Sequence, residues 1–448
     1  MKKIKVFLAV LMCRTLRFAA RLLGRGSSLP GKWTLKLFPD ILKDIQLPDL
    51  VIAVTGSNGK TSTIEMINRV LSGGGLKVAV NREGSNQTEG VATTILSDCT
   101  LSGKVKSDVV LLENDEQWAR HTFRYFHPKY YVITNLYRDQ MTRNGHPEWI
   151  ADKIAKSIYD DMTLVLNADD PLSASFGYNR NNVIYFGADH LEGDKTENNS
   201  IYNDGNYCPI CKHPMKYDYY HYNHIGSYHC GNCGYKRQDT AYSLSAADTN
   251  EGWIEINGKY RIHLAFKGIY HCYNTLAAFT VSQIAGVDPQ TAVKVLDNYN
   301  MTNGRVQRLV YGGREGTLLA SKHENSISYD RSIDVATADE KGADVMIIVD
   351  AISRKYFTSE TSWLWDIDFE NLNNENIRHV VLAGRYCYDL AVRFEYTGIP
   401  QEKIKVYENI PEAVEFLKGD REHPFYVITC FADSGKALSL SEVKGVRL

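Results

Sequence analysis

Residues Val51–Thr63 read VIAVTGSNGKTST, an apolar run that passes directly into a glycine-turned loop ending Gly59-Lys60-Thr61. A buried parallel strand feeding such a loop points successive backbone N–H groups, and the first turn of the next helix, at one spot where phosphate oxygens can be held. In that arrangement Lys60 reaches the outer phosphates of a nucleoside triphosphate and the Thr61 hydroxyl sits on magnesium. The strict phosphate-loop pattern has a glycine where this chain has Val54, which leaves the shorter Gly56-x-x-Gly59-Lys60-Thr61. Its surroundings fit. Ile64, Ile67, Val70 and Leu71 follow at helical spacing, Gly73-Gly74-Gly75 closes the helix, and Lys77–Val80 reads as the next strand.

Further apolar runs at Val109–Leu112, Tyr130–Asn135 and Thr163–Asn167, separated by helix-length segments, predict a doubly wound parallel sheet. Ligands in such sheets gather at the carboxyl ends of the strands. Each of those ends carries polar residues. Glu113-Asn114-Asp115-Glu116 concentrates carboxylates where a phosphate-bound magnesium ion needs oxygen ligands, Glu113 foremost; the alternative is a solvated charged loop. Asn135 to Gln140, with Arg138 and Asp139, follows the next strand, and Asn167-Ala168-Asp169-Asp170-Pro171 the one after, where the acids also suit a helix cap. Strands are expected again at Trp253–Ile256 and Ile262–Phe266. Beyond Arg308 a new alternation, with strands at Thr317–Ala320, Val345–Val349, Val380–Leu382 and Tyr426–Thr429, predicts a separate α/β domain.

Four of the nine cysteines cluster. Cys208-x-x-Cys211 and Cys230-x-x-Cys233 form two knuckles eighteen residues apart, with Gly234 after the second, and four thiolates at this spacing close a tetrahedral zinc shell. Such a site is structural, because four sulfur ligands leave no position for water. The nearby His213, His221, His224 and His229 read as surface or supporting residues. With no export signal visible, a reducing cytoplasm is the expected compartment.

A net charge of −2 argues against a general nucleic-acid binder. The balance hides an asymmetry: residues 1–39 carry Lys2, Lys3, Lys5, Arg14, Arg17, Arg21, Arg25, Lys32 and Lys36 and no acid. The apolar run Val6–Cys13 among them is too short to span a bilayer. It reads as an amphipathic helix, either packed on the body of the protein or resting on an anionic membrane surface.

Taken in order, TGSNGKTST, ENDE, NLYRDQMTR, NADDP, YHCYNTLAA and NGRVQR resemble the motifs of the Mur ligases. The inserted four-cysteine module, together with SWLWDIDFE at Ser362–Glu370, narrows the resemblance to the MurT-like branch. The resemblance implies an α/β architecture: a Mur-ligase-type central parallel-sheet P-loop domain at residues 50–308 with an inserted zinc ribbon at 201–237. A basic amphipathic segment at 1–49 precedes it, and a partner-binding C-terminal α/β domain at 309–448 follows. It implies ATP, Mg2+ and structural Zn2+ as cofactors, with Gly56, Ser57, Asn58, Gly59, Lys60, Thr61 and Ser62 around the phosphates and Thr61 and Glu113 on magnesium. Asn274 would contact adenine and Arg305 the phosphates or ribose.

The implied reaction is ATP-dependent amidation of the D-glutamate α-carboxyl of the lipid II stem peptide through an acyl phosphate, with ammonia from a GatD-type glutaminase partner. It belongs to the cytoplasm, at the inner face of the cell membrane. In that pattern Asp366 or Asp368 would complete the partner's cysteine–histidine pair, and a strand there would set both on one face. Two stretches depart from the pattern: Asp350–Tyr356 lacks the Asn-Asp and Ala-Asp-Gly elements, and Cys430–Gly435 lacks a threonine-tyrosine-threonine run. Three alternatives remain open. They are a Mur or folylpolyglutamate-type ligase that adds an amino acid, a diverged paralogue that amidates another carboxylate, and a non-catalytic zinc-ribbon scaffold.

Overall fold

The computed structural model describes residues 2–22, 28–81, 85–139, 144–198, 200–249, 251–265, 268–297, 299, 306–351 and 360–443. The chain forms two compact units. The first comprises Met1–Tyr137, Pro147–Asn199 and Asn203–Asn300; the second comprises Arg138–His146, Ser200–Tyr202 and Met301–Leu448.

The first unit is built on a sheet with nine strands among the described residues. Its strands are β1 (Leu50–Thr55), β2 (Val78–Val80), β3 (Val109–Glu113), β4 (Tyr130–Ile133), β5 (Thr163–Asn167) and β6 (Val183–Ala188). The ribbon hairpin, β7 (Lys216–Tyr222) and β8 (Ile225–His229), stands apart, and β9 (Tyr242–Asp248), β10 (Trp253–Ile256) and β11 (Tyr260–His263) complete the large sheet. The spatial order is β11-β10-β9-β6-β5-β4-β1-β3-β2. Every pairing from β2 to β9 is parallel, and β10 and β11 close the edge antiparallel. Strands β1, β3 and β5 are unbroken apolar runs because helices cover both faces of a parallel sheet and leave no side to water. The strand expected at Ile262–Phe266 ends at His263, and Phe266 lies outside the described residues.

Helix α1 (Lys2–Leu22) packs on α2 (Leu29–Leu37), and both pack on α4 (Thr88–Asp98). Between the alternatives of a packed helix and a surface helix, α1 shows packing along one side: Val6, Ala9, Val10 and Cys13 join the core with Ile41, Ile45 and Leu96. Helix α3 (Lys60–Gly73) follows the β1 loop and packs against the helix Ile269–Ile284.

In the second unit the strands β12 (Val306–Tyr311), β13 (Arg314–Ser321), β14 (Ala343–Ile348), β15 (Ile377–Ala383), β16 (Ile404–Tyr407) and β17 (Phe425–Cys430) are ordered β12-β13-β17-β14-β15-β16. All pair parallel except the β12–β13 hairpin, and apolar clusters fill both faces. Buried Arg314 is neutralised by Asp344 at 2.8 Å and bonded to the carbonyls of Leu417 and His423, so the charge does not stay uncompensated inside.

Candidate functional site

Strand β1 lies between β3 and β4, and the chain leaves it to build the sheet outward on both sides. Its carboxyl end is therefore the topological switch point, where an open α/β sheet leaves a crevice. The loop Gly56–Gly59 fills that end, and α3 starts at Lys60. Gly59 has φ +80°, and a Cβ there would come 2.2 Å from Asn274 Oδ1. Only glycine allows both the left-handed turn and that approach.

The loop is held by strand ends on either side. The Asn58 N–H donates to Asn135 Oδ1 at 2.8 Å, Asn135 Nδ2 donates back to the Asn58 carbonyl at 3.1 Å, and the Ser57 N–H donates to the Asn135 carbonyl at 2.9 Å. From the β3 side, Thr61 Oγ1 donates to Glu113 Oε2 at 3.0 Å, and Lys60 Nζ meets Glu116 Oε1 at 2.5 Å as well as the Gly56 carbonyl. Lys60, Glu113 and Glu116 are all buried. Asn81 fixes the Glu113 backbone through two bonds of 2.7 and 2.8 Å, while Asn86 Nδ2 reaches Glu113 Oε1 at 3.4 Å.

Gly56, Ser57, Asn58, Gly59, Lys60, Thr61, Ser62 and Glu113 thus converge, and Asn274 lies against the loop with its Oδ1 3.4 Å from Thr63 Oγ1. Arg305 lies outside the described residues. Sequence reasoning missed Asn81, Asn86 and the clamp by Asn135. Asn81 carried a usable signal, a polar residue directly ending a parallel strand.

The donor set fits a magnesium-bound triphosphate: a hydroxyl and a carboxylate in contact, an ammonium, and a loop ending in a helix N-terminus. Both side-chain amide atoms of Asn114, at the end of β3, are buried without a partner among the described residues. A polar group so placed is costly unless something binds it.

The four clustered cysteines bring their sulfurs within 4.8 Å of one another. The knuckles repeat one design. The Lys212 N–H donates to the Cys208 carbonyl at 2.9 Å and the Gly234 N–H to the Cys230 carbonyl at 3.1 Å, each on a left-handed residue, with φ 63° and 74°. The backbone N–H of His213 draws the Cys211 thiol down to about 5, whereas burial pushes Cys208 up to about 12. Four soft donors at this distance can hold a metal ion, and zinc suits the set.

His221 and His224 are not surface residues. Both are buried: His221 Nδ1 lies 2.6 Å from Asp194 and its Nε2 3.9 Å from Asp169, and His224 Nε2 lies 3.4 Å from Asp170. Asp170 caps the short helix at Pro171, accepting from the N–H groups of Leu172 and Leu136. Asp169 accepts from Arg237 Nε at 2.6 Å and from Tyr273 Oη at 2.5 Å. Tyr228 and Tyr235 donate to the carbonyls of Ala168 and Pro171. The ribbon is thereby seated on the end of β5.

In the second unit the expected strand carrying Asp366 and Asp368 is absent. Ser362–Asp366 and Phe369–Leu372 are single 3-10 turns, which bury Trp363 and leave Trp365 against Tyr396, so the two acids point to different surroundings. Arg138 Nη1 donates to Asp366 Oδ1 at 2.7 Å, and that carboxylate stays partly exposed. Asp368 is buried, accepts from Ser200 Oγ at 2.7 Å and the Ile201 N–H at 2.8 Å, and donates its own N–H to Asp330 Oδ1. Burial raises the Asp368 carboxyl above the usual range; burial, aided by the neighbouring Asp368 charge, raises Asp330 well above it. Asp139, another acid singled out in the sequence, pairs with Lys322 and accepts from Asn325 Nδ2.

Residues 54–282 match the family described as Mur ligase middle domain, and residues 323–433 that described as MurT ligase C-terminal. The chain is 31% identical over 436 residues to the lipid II isoglutaminyl synthase (glutamine-hydrolyzing) subunit MurT of Streptococcus pneumoniae, covering 95% of each protein. It is 30% identical over 397 residues to the protein of the same description from Staphylococcus aureus, covering 87% of this chain and 88% of that one. The fold is similar to a pseudomurein peptide ligase type C from Methanothermus fervidus, with TM-score 0.69, 19% identity, and 90% of this chain and 80% of that one covered. It is also similar to MurF from Acinetobacter baumannii, with TM-score 0.63, 17% identity, and 92% and 81% covered. The chain therefore belongs to the MurT family, a branch of the ATP-dependent Mur ligases.

Proposed function

We propose that this chain is the synthetase subunit of a lipid II isoglutaminyl synthase: it amidates the D-glutamate α-carboxyl of the lipid II stem peptide to D-isoglutamine, with ammonia from a GatD-type glutaminase subunit. The single observation that carries this reading is the Thr61–Glu113 contact beside Lys60 at the switch point, on a chain alike over nearly its whole length to proteins of that description. Thr61 and Glu113 would hold Mg2+, Gly56 to Ser62 the phosphates, and Asn274 and Arg305 the rest of ATP. Cys208, Cys211, Cys230 and Cys233 would hold a structural Zn2+.

In this scheme a carboxylate oxygen of D-glutamate attacks the γ-phosphorus, the bond to ADP breaks, and an acyl phosphate results. Ammonia then adds to the acyl carbon, phosphate leaves with the electron pair of its bond, and the nitrogen loses a proton. Lys60 would exchange Glu116 for phosphate oxygens and so offset charge gathering there, which is the main task of a protein in phosphoryl transfer.

For the aspartate lent to the partner's cysteine–histidine pair, Asp366 is favoured over Asp368. A carboxylate must reach a partner's imidazole to orient it, and Asp368 is enclosed by Ser200 and Ile201 while Asp366 is partly exposed. The experiment incubates the purified chain with Mg-ATP, ammonium and lipid II, with the glutaminase absent, and follows phosphate release and the small mass decrease of exchanging hydroxyl for amine. Phosphate release without amide would sink the acceptor assignment, and amino-acid incorporation would favour the amino-acid ligase.

A further inference from the structure

Helix α1 has two apolar sides. Val6, Ala9, Val10, Cys13 and Ala20 face the core, whereas Ile4, Phe7, Leu8, Leu11, Phe18 and Leu22 are exposed, Phe18 by 70% and Leu22 by 76%. The exposed positions recur at three- and four-residue spacing, with exposed Thr15 keeping the register between Leu11 and Phe18, so they form one continuous stripe opposite the buried one. Helix α2 repeats the pattern: Pro30, Gly31 and Thr34 are buried, and Leu29, Trp33 and Leu37, four residues apart, are exposed. A surface helix needs one apolar side to dock, and each of these helices has already used it. The second side is unexplained by the fold, and exposed apolar surface on this scale marks an interaction site.

Charge indicates the occupant. Lys3 and Arg21 on α1 and Lys32 and Lys36 on α2 are exposed, and no acidic residue precedes Asp40. Lys36 Nζ stands 5.0 Å above the Trp33 ring, a cation and an amphipathic aromatic side by side. A large apolar stripe flanked by Lys3, Arg21, Lys32 and Lys36 complements a surface that is anionic outside and hydrocarbon just beneath. No helix among the described residues is long and apolar enough to cross a bilayer, which leaves lying in its interface.

We propose that α1 and α2 form a docking face for an anionic phospholipid bilayer, with Phe18, Leu22 and Trp33 at the acyl boundary and Lys3, Arg21, Lys32 and Lys36 among headgroup phosphates. The inference stands independently of the acceptor, since it concerns binding and not turnover.

The test is co-sedimentation of the full chain with vesicles of phosphatidylglycerol and phosphatidylcholine, against vesicles of phosphatidylcholine alone. Affinity for the anionic vesicles should exceed that for neutral ones by about tenfold or more, and high salt should reduce it. Phe18→Glu with Leu22→Glu should weaken vesicle binding by about tenfold or more. Lys3→Glu with Arg21→Glu should remove the anionic preference while the melting temperature stays that of the parent, because these side chains face solvent. The proposal fails if the parent stays in the supernatant, or if both variant pairs bind as the parent does. It fails equally if the parent is a dimer in sedimentation velocity that Phe18→Glu with Leu22→Glu dissolves, since a second copy would then be the occupant.

Discussion

Thr61 Oγ1 donates to Glu113 Oε2 across 3.0 Å, joining the first turn of α3 to the carboxyl end of β3. The two lie fifty-two positions apart in sequence and meet only because β3 pairs directly with β1. A hydroxyl and a carboxylate in contact at a phosphate loop are a ready pair of oxygen ligands for magnesium. Substituting Thr61→Ala or Glu113→Gln should raise the Mg2+ concentration needed for half-maximal ATP turnover by about tenfold or more, with little change in melting temperature. Unchanged magnesium dependence in both would remove the assignment.

Lys60→Ala should lower ATP turnover by on the order of 10²–10³, the loss typical of one preorganised charge-stabilising donor. The variant also leaves Glu116 buried without its counter-charge, so its melting temperature should fall. Lys60→Ala with Glu116→Gln should recover much of that stability and none of the turnover. Recovery of turnover would show that Lys60 serves the fold alone.

If Asp366 orients the partner's histidine as proposed, Asp366→Asn should cut glutamine-driven amidation by on the order of 10³–10⁴ while leaving ammonia-driven amidation untouched. Asp368→Asn should affect both alike through stability. The reverse pattern in paired glutamine and ammonium assays would exchange the two roles.

The second unit should be more stable in mild acid than at neutral pH, through Asp330. Its folded carboxyl titrates well above the ordinary range, so the stability it contributes is complete below about 4 and is lost as pH rises through the folded value. Asp330 Oδ2 is buried without a partner among the described residues, while Oδ1 accepts the Asp368 N–H at 2.8 Å, a bond an amide can keep. Asp330→Asn should therefore raise the neutral-pH stability and flatten the slope. Denaturant melts at pH 5 and pH 8 would check it, and equal slopes in parent and variant would count against it.

The purified chain should carry one zinc per polypeptide. A strong chelator, or Cys208→Ser, should open the segment around β7 and β8 to protease while the second unit stays resistant, since binding at such a site contributes on the order of 10 kcal/mol to local folding. Elemental analysis with limited proteolysis reads both, and a metal-free chain with a protected ribbon would refute the expectation.

Much of the two sheets was legible because fully buried parallel strands are unbroken apolar runs: Val109–Leu112 became Val109–Glu113, and Tyr426–Thr429 became Phe425–Cys430. Strands with polar or half-exposed faces give a weaker signal, and Tyr242–Asp248 and Ile404–Tyr407 were missed; Val183–Ala188 was missed as well, although Val183–Phe186 is itself an apolar run. The phosphate loop could be read locally, whereas its clamps could not. Asn135 holds Asn58 from seventy-seven positions away, and only the strand order brings them together. For Asp366 and Asp368, spacing suggested one face, but two 3-10 turns send one to Arg138 and the other to Ser200. The cysteine ribbon was plain from its spacing, and what lay hidden was the Asp169–Arg237 and Asp170–His224 pairs beneath it.

Those pairs make the ribbon hard to excise. Cutting out residues 203–237 would carry off the guanidinium that balances Asp169 and both phenols that cover the Ala168 and Pro171 carbonyls, leaving at the end of β5 a buried carboxylate that keeps the Tyr273 hydroxyl and the Ala188 N–H but loses its counter-charge. A ligase on this scaffold without the insert must fill that corner with another cation or do without the acid, so trimming the chain to a ribbonless enzyme would call for simultaneous replacements beneath the cut.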